Sequence, residues 1–311
     1  MKKFLILSLL ILSIVAYSLT NDEIRYIATA YNKGFSRSIE EIKKYSMKEN
    51  YLYDDFILNY YNYFLGKMEL KDVLKSKTII SDKPFIPTKT YLKRSIEFKT
   101  YLNNIIDKNK NIIYEKIPIL NKKSKKLNPT IIKKFKKREI LKERVYKLLK
   151  AYKINMNDLN NYAEAIVDYT YTYLNSNITF YRKYNISSNF FKEKIVVKDI
   201  PVELLLSFMV AESRLRPYSY RIEIKNDKIY AFSIGFTHIL VDADFAYISN
   251  VNDKFGNNKF DMYNFNLLSS LYFGNEKNKE NYLSDIDLIT LRGSILYASV
   301  LLQLIYEKIV L

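Results

Sequence analysis

Apolar residues recur at three- and four-residue spacing along much of the N-terminal half of this chain. Ile24, Ile27, Ala28 and Tyr31 form one such series, and this period is typical of an amphipathic helix. The same pattern continues, with interruptions, to about residue 76. It predicts further helices over 91–106, 128–152 and 157–174, joined by a proline-containing linker over 77–90 and by irregular connections over 107–127 and 175–199.

A dense run of aromatic residues lies within the first of these helical stretches. Residues 51–65 contain Tyr51, Tyr53, Tyr60 and Tyr61, with further tyrosines and phenylalanines between them. Tyrosines at helical spacing usually belong to a core and reach the surface with their hydroxyls. A platform on which sugars stack is the functional alternative.

One later helix has almost no polar face. Residues 201–217 read PVELLLSFMVAESRLRP, so this helix should be buried on most sides. Pro201 suits a helix start, because its fixed φ is helical and its missing N–H costs no hydrogen bond there. Pro217 ends the pattern. Just before the end, the helix presents Glu212, followed directly by Ser213.

The position of Glu212 suggests acid–base chemistry. A carboxyl group at the inner end of an apolar helix is poorly solvated, which favours its neutral, protonated form. A general acid that protonates a glycosidic oxygen needs this property. The simpler interpretation is that Glu212 is the first polar residue where a core helix meets water.

Two further patterns follow Glu212 along the chain. Apolar and polar residues alternate over 220–232 around a central Asn226-Asp227, which predicts a β-hairpin with a two-residue turn. The hairpin leads into residues 233–239, SIGFTHI. Near the C-terminus, a long apolar helix contains residues 292–297, RGSILY.

These elements, in this order, resemble the catalytic domain of soluble-type lytic transglycosylases. The family pattern is a helix that begins with Pro and ends in Glu-Ser, then a Pro, a Gly-Ala-x-Gly-Leu-Met-Gln-Ile segment and an Asn-Ile…Gly…Tyr-Leu helix. The resemblance covers about residues 195–311. The chain departs from the pattern at Thr237, which replaces Met, and at His238, which replaces Gln, and it has no clear counterpart of the Asn. The matching positions are Pro201, Glu212, Ser213, Pro217, Ser233, Gly235, Ile239, Gly293 and Tyr297.

The resemblance implies a mainly α, lysozyme-like fold of the α+β type. A helical catalytic domain with a small β-hairpin would occupy 195–311, and an all-helical, basic region would occupy 21–194. The implied substrate is the β-1,4 linkage between N-acetylmuramic acid and N-acetylglucosamine in peptidoglycan. Glu212 would act as the single general acid and base, and no cofactor is implied.

The resemblance also implies substrate-binding roles for several residues. Each has a structural alternative: Ser213 can bond the helix backbone, Gly235 can serve a strand kink, and Tyr297 can belong to the core. As an imidazolium, His238 would stabilise the carboxylate of Glu212 and lower activity at acidic pH. The residues with implied binding roles are Ser213, Ser233, Gly235, His238 and Tyr297.

The N-terminus predicts export. Lys2 and Lys3 precede an apolar run, and small residues follow at 16–18, which is the pattern of a secretory signal peptide over residues 1–20. An uncleaved N-terminal anchor is the alternative. The chain contains no cysteine, which excludes a Cys-linked lipoprotein and a disulfide-stapled domain. A periplasmic or envelope-associated location follows.

Positive charge is concentrated in one segment of the chain. The formal net charge is +17, and residues 122–153 contain 14 lysines and arginines against two glutamates, a net charge of +12. Nucleic-acid binding is the usual interpretation of such a segment, but export argues against it. An anionic cell wall or membrane surface would attract the same charge. A solvated helix surface is the alternative.

Several other chemistries are not favoured. One histidine and no cysteine exclude zinc sites of the usual kinds, and the six glycines form no phosphate-binding loop. A Ser–His–Asp triad would have to use His238, and no nucleophile-elbow sequence is present. Two alternatives remain to the lytic transglycosylase, which would be a lyase because it cleaves the glycan without water. A hydrolytic muramidase would need a second carboxylate (Glu223, Asp227, Asp242 or Asp244), and a catalytically weak relative would serve as a wall-binding scaffold.

Overall fold

The computed structural model describes residues 19–34, 37–78, 137–174, 179–186, 189–198, 200–216, 219–225, 228–242, 271–272 and 291–311, with isolated positions between 88 and 100. This part of the chain is mainly helical, as predicted. Most of the predicted helix over 91–106 and the start of the one over 128–152 lie outside it. The described helices are α1 (Asn21–Lys33), α2 (Ile39–Ser46), α3 (Tyr53–Leu65), α4 (Leu70–Val73), α5 (Arg138–Ala151), α6 (Leu159–Leu174), α7 (Val202–Ser213) and α8 (Leu291–Val310).

Two small antiparallel sheets accompany these helices. One has the strand order β3-β4-β5, and its first two strands are the predicted hairpin, with Tyr220 opposite Ile234 and Ile222 opposite Phe232. The other has the order β2-β1-β6. The strands are β1 (Thr179–Ile186), β2 (Asn189–Val196), β3 (Tyr220–Lys225), β4 (Lys228–Ile234), β5 (Ile239–Asp242) and β6 (Leu271–Tyr272).

The β1–β2 hairpin corrects the prediction of an irregular connection over 175–199. Its strands pair in register from Thr179 opposite Val196 to Ile186 opposite Asn189. Lysines and aromatic residues are mixed along both strands without the clean alternation that marks a half-buried strand. Pairing between the two strands therefore determines that residues 179–196 form a hairpin, and the local sequence pattern does not predict it.

The N-terminal helices begin at side-chain caps. The hydroxyl of Thr20 accepts from the N–H of Glu23, and the Glu23 carboxylate accepts from the Thr20 N–H. Ser38 and Glu41 repeat the arrangement at the start of α2. Each pair satisfies two helix-end donors, so the sequence sets these two helix starts locally.

In the described part of the chain, one hydrophobic core includes residues from both predicted regions. Helix α3 packs against α1 and α7, and α6 packs against α5 and α8. Tyr60, Phe64, Phe208 and Tyr297 are among its largest fully buried side chains. The boundary between regions 21–194 and 195–311 stays a prediction, but the core is continuous across it.

Among the described helices, α8 alone is long and apolar enough to cross a membrane by length and composition. Residues Gly293–Val310 have a mean hydropathy of 1.3, which is enough for a membrane-spanning helix, yet 72% of that stretch is buried inside the protein. Ser294 and Gln303 are fully buried within it. Helix α8 therefore acts as a core helix in this fold.

Carboxylates of the protein itself neutralise much of the charge on the described part of the basic segment. Arg138, at the start of α5, donates to Asp168 at 2.6 and 2.8 Å and to Glu164 at 3.0 Å. Lys142 lies 2.9 Å from Glu164. These ion pairs tie α5 to α6. Residues 122–136, which hold most of the remaining excess charge, lie outside the described residues.

Gly66 ends α3 in a conformation that suits glycine. Its φ of 80° and ψ of 21° are left-handed, and its N–H bonds the carbonyls of Asn62 and Tyr63. A Cβ here would also collide with the guanidinium of Arg144, which donates to the carbonyl of Phe64. We expect Gly66→Ala to lower the free energy of unfolding by about 1–3 kcal/mol, measured by urea denaturation.

Two controls separate backbone strain from the collision. Asparagine tolerates the left-handed region better than alanine, so Gly66→Asn retains the collision with less strain. Arg144→Met removes the collision. The Gly66→Ala/Arg144→Met double mutant should then lose less free energy of unfolding than the two single mutants lose together. A Gly66→Ala protein as stable as the wild type would contradict both explanations.

Candidate active site at the end of helix α7

Helix α7 carries Glu212 into a sharp chain reversal. Pro201 caps the helix with φ −60° and ψ 132°, and nearly every residue of the helix is buried. Beyond it, Arg214 and Leu215 both have positive φ, 54° and 59°, and their N–H groups bond the carbonyls of Val210 and Met209. Tyr162 of α6 then donates to the carbonyl of Leu215 at 3.0 Å. These bonds hold the helix end, and with it Glu212.

Glu212 contacts one residue from each half of the chain. The hydroxyl of Tyr53, at the start of α3, donates to Oε1 of Glu212. Nδ1 of His238 lies 3.4 Å from Oε2. The side chains of Glu212 and His238 are only 10% and 9% exposed. Because little water reaches this carboxyl, these neighbours dominate its chemistry.

The charge of Glu212 acts on three tyrosines of the N-terminal helical region, of which Tyr53 alone donates to it. Burial first, and then the charge of Glu212, raise the pKa of Tyr31 and Tyr53 far above the usual range. Burial also raises the pKa of Tyr51, with a smaller contribution from Glu212. Tyr31 packs on Phe208 of α7, with ring centroids 4.6 Å apart. All three phenols therefore stay protonated, as hydrogen-bond donors, at neutral pH.

His238 reaches Glu212 from a tight turn between β4 and β5. Gly235 has φ 85° and donates its N–H to the carbonyl of Ser219 at 2.9 Å, while His238 has φ 48° and donates to the carbonyl of Gly235 at 3.2 Å. Tyr31 donates to the carbonyl of Thr237 at 2.5 Å. The turn is thus held both by the sheet and by helix α1, and Gly235 supplies its left-handed conformation.

Of the other residues with implied binding roles, Ser213 and Ser233 bond partners other than Glu212 and Tyr297 lies in the core. Ser213 is buried and donates to the carbonyl of Met209 at 2.8 Å. Ser233 is buried and donates to Glu223 at 2.6 Å. Tyr297 is fully buried in α8. Ser213 therefore bonds the helix backbone and Tyr297 belongs to the core, as their structural alternatives predicted. The binding roles of these residues stay predictions.

Arg221 brings a positive charge near the site. Burial lowers the pKa of this guanidinium, but the charge of Glu223 and then that of Glu212 outweigh burial and raise it. Nε of Arg221 lies 2.6 Å from Glu223, the carboxylate that also accepts from Ser233. Arg221 and Glu223 form a charged pair on β3, and the charge of Glu212 also acts on Arg221.

Sequence reasoning did not identify Tyr31, Tyr53 or Ser219 as site residues. The helical spacing of the aromatic run over 51–65 predicts a core role, and the structure confirms it for Tyr53, Tyr60 and Tyr61, which are buried. Tyr53 is both a core residue and a donor to Glu212. The helical spacing of Tyr53 predicts its core role but gives no indication of its hydrogen bond to Glu212.

Within the described residues, no group of three or more His, Asp or Glu side chains is arranged to hold a metal ion. The chemistry available around Glu212 is proton transfer by a carboxyl group and an imidazole, with phenol hydroxyls and a guanidinium as hydrogen-bond donors. Such a set suits acid–base catalysis on a neutral substrate.

No protein-family model, no curated protein and no solved structure matches this chain. Its function must therefore be inferred from the residues around Glu212 and from the resemblance of its motifs.

Proposed function

We propose that this chain is an exported peptidoglycan lytic transglycosylase with a lysozyme-like catalytic region, in which Glu212 is the single general acid and base. The observation that carries the proposal is the environment of Glu212. Its carboxyl lies at the end of an apolar helix, is largely buried, and contacts Tyr53 and His238. A carboxyl that exchanges a proton during a reaction needs this kind of shielded, hydrogen-bonded position.

The proposed reaction needs one carboxyl group rather than two. Glu212 first protonates the oxygen that leaves C1 of N-acetylmuramic acid, while the 2-acetamido group of the same sugar attacks C1. Glu212, now a carboxylate, takes the proton of the 6-hydroxyl, whose oxygen bonds C1 as the bond between C1 and the acetamido oxygen breaks. The product is a 1,6-anhydro end. No water is consumed, and the proton returns to Glu212.

Tyr53 supports the carboxylate half of this cycle. After Glu212 has donated its proton, the Tyr53 hydroxyl stabilises the anion, because hydrogen bonds to the charged form favour that form. The high pKa of Tyr53 keeps this hydroxyl protonated as a donor. A neutral His238 would add a second donor on Oε2.

Glu223 is the one candidate second carboxylate of the muramidase alternative whose side chain lies among the described residues. Hydrolysis by the usual two-carboxylate mechanisms needs a second carboxylate beside the sugar. Arg221 and Ser233 both donate to Oε1 of Glu223, which ties this carboxylate to its neighbours on β3 and β4. Asp227 and Asp244 lie outside the described residues, as does the side chain of Asp242. The lyase mechanism requires none of them.

The test is to incubate the purified protein with isolated peptidoglycan and to determine the masses of the released fragments. Anhydro-muramyl ends are expected. Reducing ends, one water heavier, would replace the proposal with a muramidase. No release with retained binding to peptidoglycan would favour the scaffold alternative, which the His238 replacement and the missing Asn motivate.

Tyr53→Phe is expected to lower the turnover number by about 10- to 150-fold, with little change in KM. The variant removes one hydrogen bond to a charged group, and such bonds contribute about 1.5–3 kcal/mol, while the ring and its packing remain. Tyr51→Phe is the matched control, because the Tyr51 hydroxyl bonds Asn32 at 3.3 Å and does not donate to Glu212. An equal loss in both variants would argue against a specific role for Tyr53.

A further inference from the structure

Ser219, His238 and Glu212 form a continuous line of side chains. Oγ of Ser219 lies 2.7 Å from Nε2 of His238, and Nδ1 on the other side of the same ring lies 3.4 Å from Oε2 of Glu212. Ser219 is half-buried and directly precedes β3. The N–H of Gly235 holds its carbonyl at 2.9 Å, so the backbone on both sides of the Ser219–His238 contact is fixed.

The partners of the ring assign its tautomer. A serine hydroxyl donates to Nε2 when that nitrogen carries a lone pair, and the proton of a neutral imidazole then resides on Nδ1. Nδ1 is buried and has no hydrogen-bond partner among the described residues, although Oε2 of Glu212 lies 3.4 Å away. The carboxylate of Glu212 is the acceptor that faces it. Nucleophile, base and orienting carboxylate thus stand in the order that activates a serine.

We propose that Ser219 is an activated nucleophile and that the chain hydrolyses simple carboxylic esters as a second activity. Oγ of Ser219 attacks the ester carbonyl carbon while its proton passes to Nε2 of His238. The tetrahedral intermediate then expels the alcohol, which takes that proton from Nε2. Water, deprotonated by His238, attacks the acyl-serine in the same way. The carboxylic acid is released and Ser219 recovers its proton.

Arg221 provides positive charge for the oxyanion of the intermediate. It is the second residue of β3, two positions along the chain from Ser219. Its guanidinium bonds Glu223 through Nε and has further N–H groups at its terminus. A positive charge on the side of the nucleophile stabilises the charge that develops in the transition state.

The second activity goes beyond the proposed lyase and does not depend on it. Both reactions use Glu212, but in different states. Glycan cleavage starts from the protonated acid, whereas ester hydrolysis needs the carboxylate to orient His238 and to stabilise its imidazolium. Only ester hydrolysis requires the Ser219 hydroxyl. The two inferences can therefore fail separately.

The test uses the full chain, a fluorophosphonate probe and p-nitrophenyl acetate. We expect the probe to label Ser219, as identified by peptide mass spectrometry. We also expect Ser219→Ala and His238→Gln each to lose at least about 100-fold in ester hydrolysis. Ser76→Ala, which removes a hydroxyl that accepts from Asn59 at 3.0 Å, is the matched control and should retain wild-type hydrolysis.

Labelling of the unmodified protein needs no variant, so misfolding of a variant cannot hide the answer. A wild-type chain that stays unlabelled at Ser219 would overturn the proposal, as would equal ester hydrolysis by the wild type and Ser219→Ala. Anhydro-muramyl release from peptidoglycan, measured on the same preparation, reports on the lyase alone.

Discussion

Glu212→Gln should reduce the release of anhydro-muramyl fragments by at least about 100-fold, because general acid–base catalysis by a positioned group contributes about 10²–10⁴. The amide has nearly the shape of the carboxyl group and can still accept from Tyr53, so the helix end should remain intact. It can neither protonate the leaving oxygen nor take the proton of the 6-hydroxyl. Fragment release is measured by mass spectrometry at equal protein concentration.

Glu203→Gln is the matched control for this substitution. Glu203 lies in the first turn of the same helix, is 7% exposed, and is 3.8 Å from Lys137, far along α7 from the candidate site. We expect this variant to keep the fragment release of the wild type. If Glu212→Gln released fragments at the wild-type rate, Glu212 would not be the acid and the lyase proposal would fail.

The second large effect is expected above pH 10, where the protein should unfold as its tyrosines ionise. Burial raises the pKa of Tyr61 and of Tyr171 to about 12 in the folded state, and that of Tyr60 higher still, against about 10 in an unfolded chain. A raised pKa means that the folded state binds more protons than the unfolded one in this window. The stabilisation that these protonated tyrosines contribute is therefore complete below pH 10 and decreases as the pH rises towards 12.

Tyr61 by itself should contribute about 2–3 kcal/mol to this loss, since one pKa unit corresponds to 1.36 kcal/mol. Helical circular dichroism and tyrosinate absorbance, followed together from pH 9 to 12, should change in one joint transition. Tyr61→Phe lacks one of the ionising groups, so its transition should lie at higher pH than that of the wild type. Gradual tyrosinate formation around pH 10 with unchanged helicity would contradict the expectation.

Local sequence patterns were sufficient to predict much of the secondary structure. The apolar run after Pro201 predicted α7, the alternation around Asn226-Asp227 predicted the β3–β4 hairpin, and the helices from residue 21 onward follow their apolar spacing. These features depend on neighbours within a few residues, which is the range over which periodicity, caps and turns act. The β1–β2 hairpin lacked such a pattern and was missed.

By itself, the sequence determined that Glu212 stands at the end of a buried helix and that His238 is the one histidine available to join it. The tertiary structure decided the rest of the site. Tyr53 lies 159 residues before Glu212 in the chain, and Tyr31 lies 206 residues before Thr237. Contacts over such separations arise when α1 and α3 pack on α7 around a shared core. The motif resemblance starts near residue 195 and could not foresee them, because packing between distant elements leaves no periodic signal in the sequence.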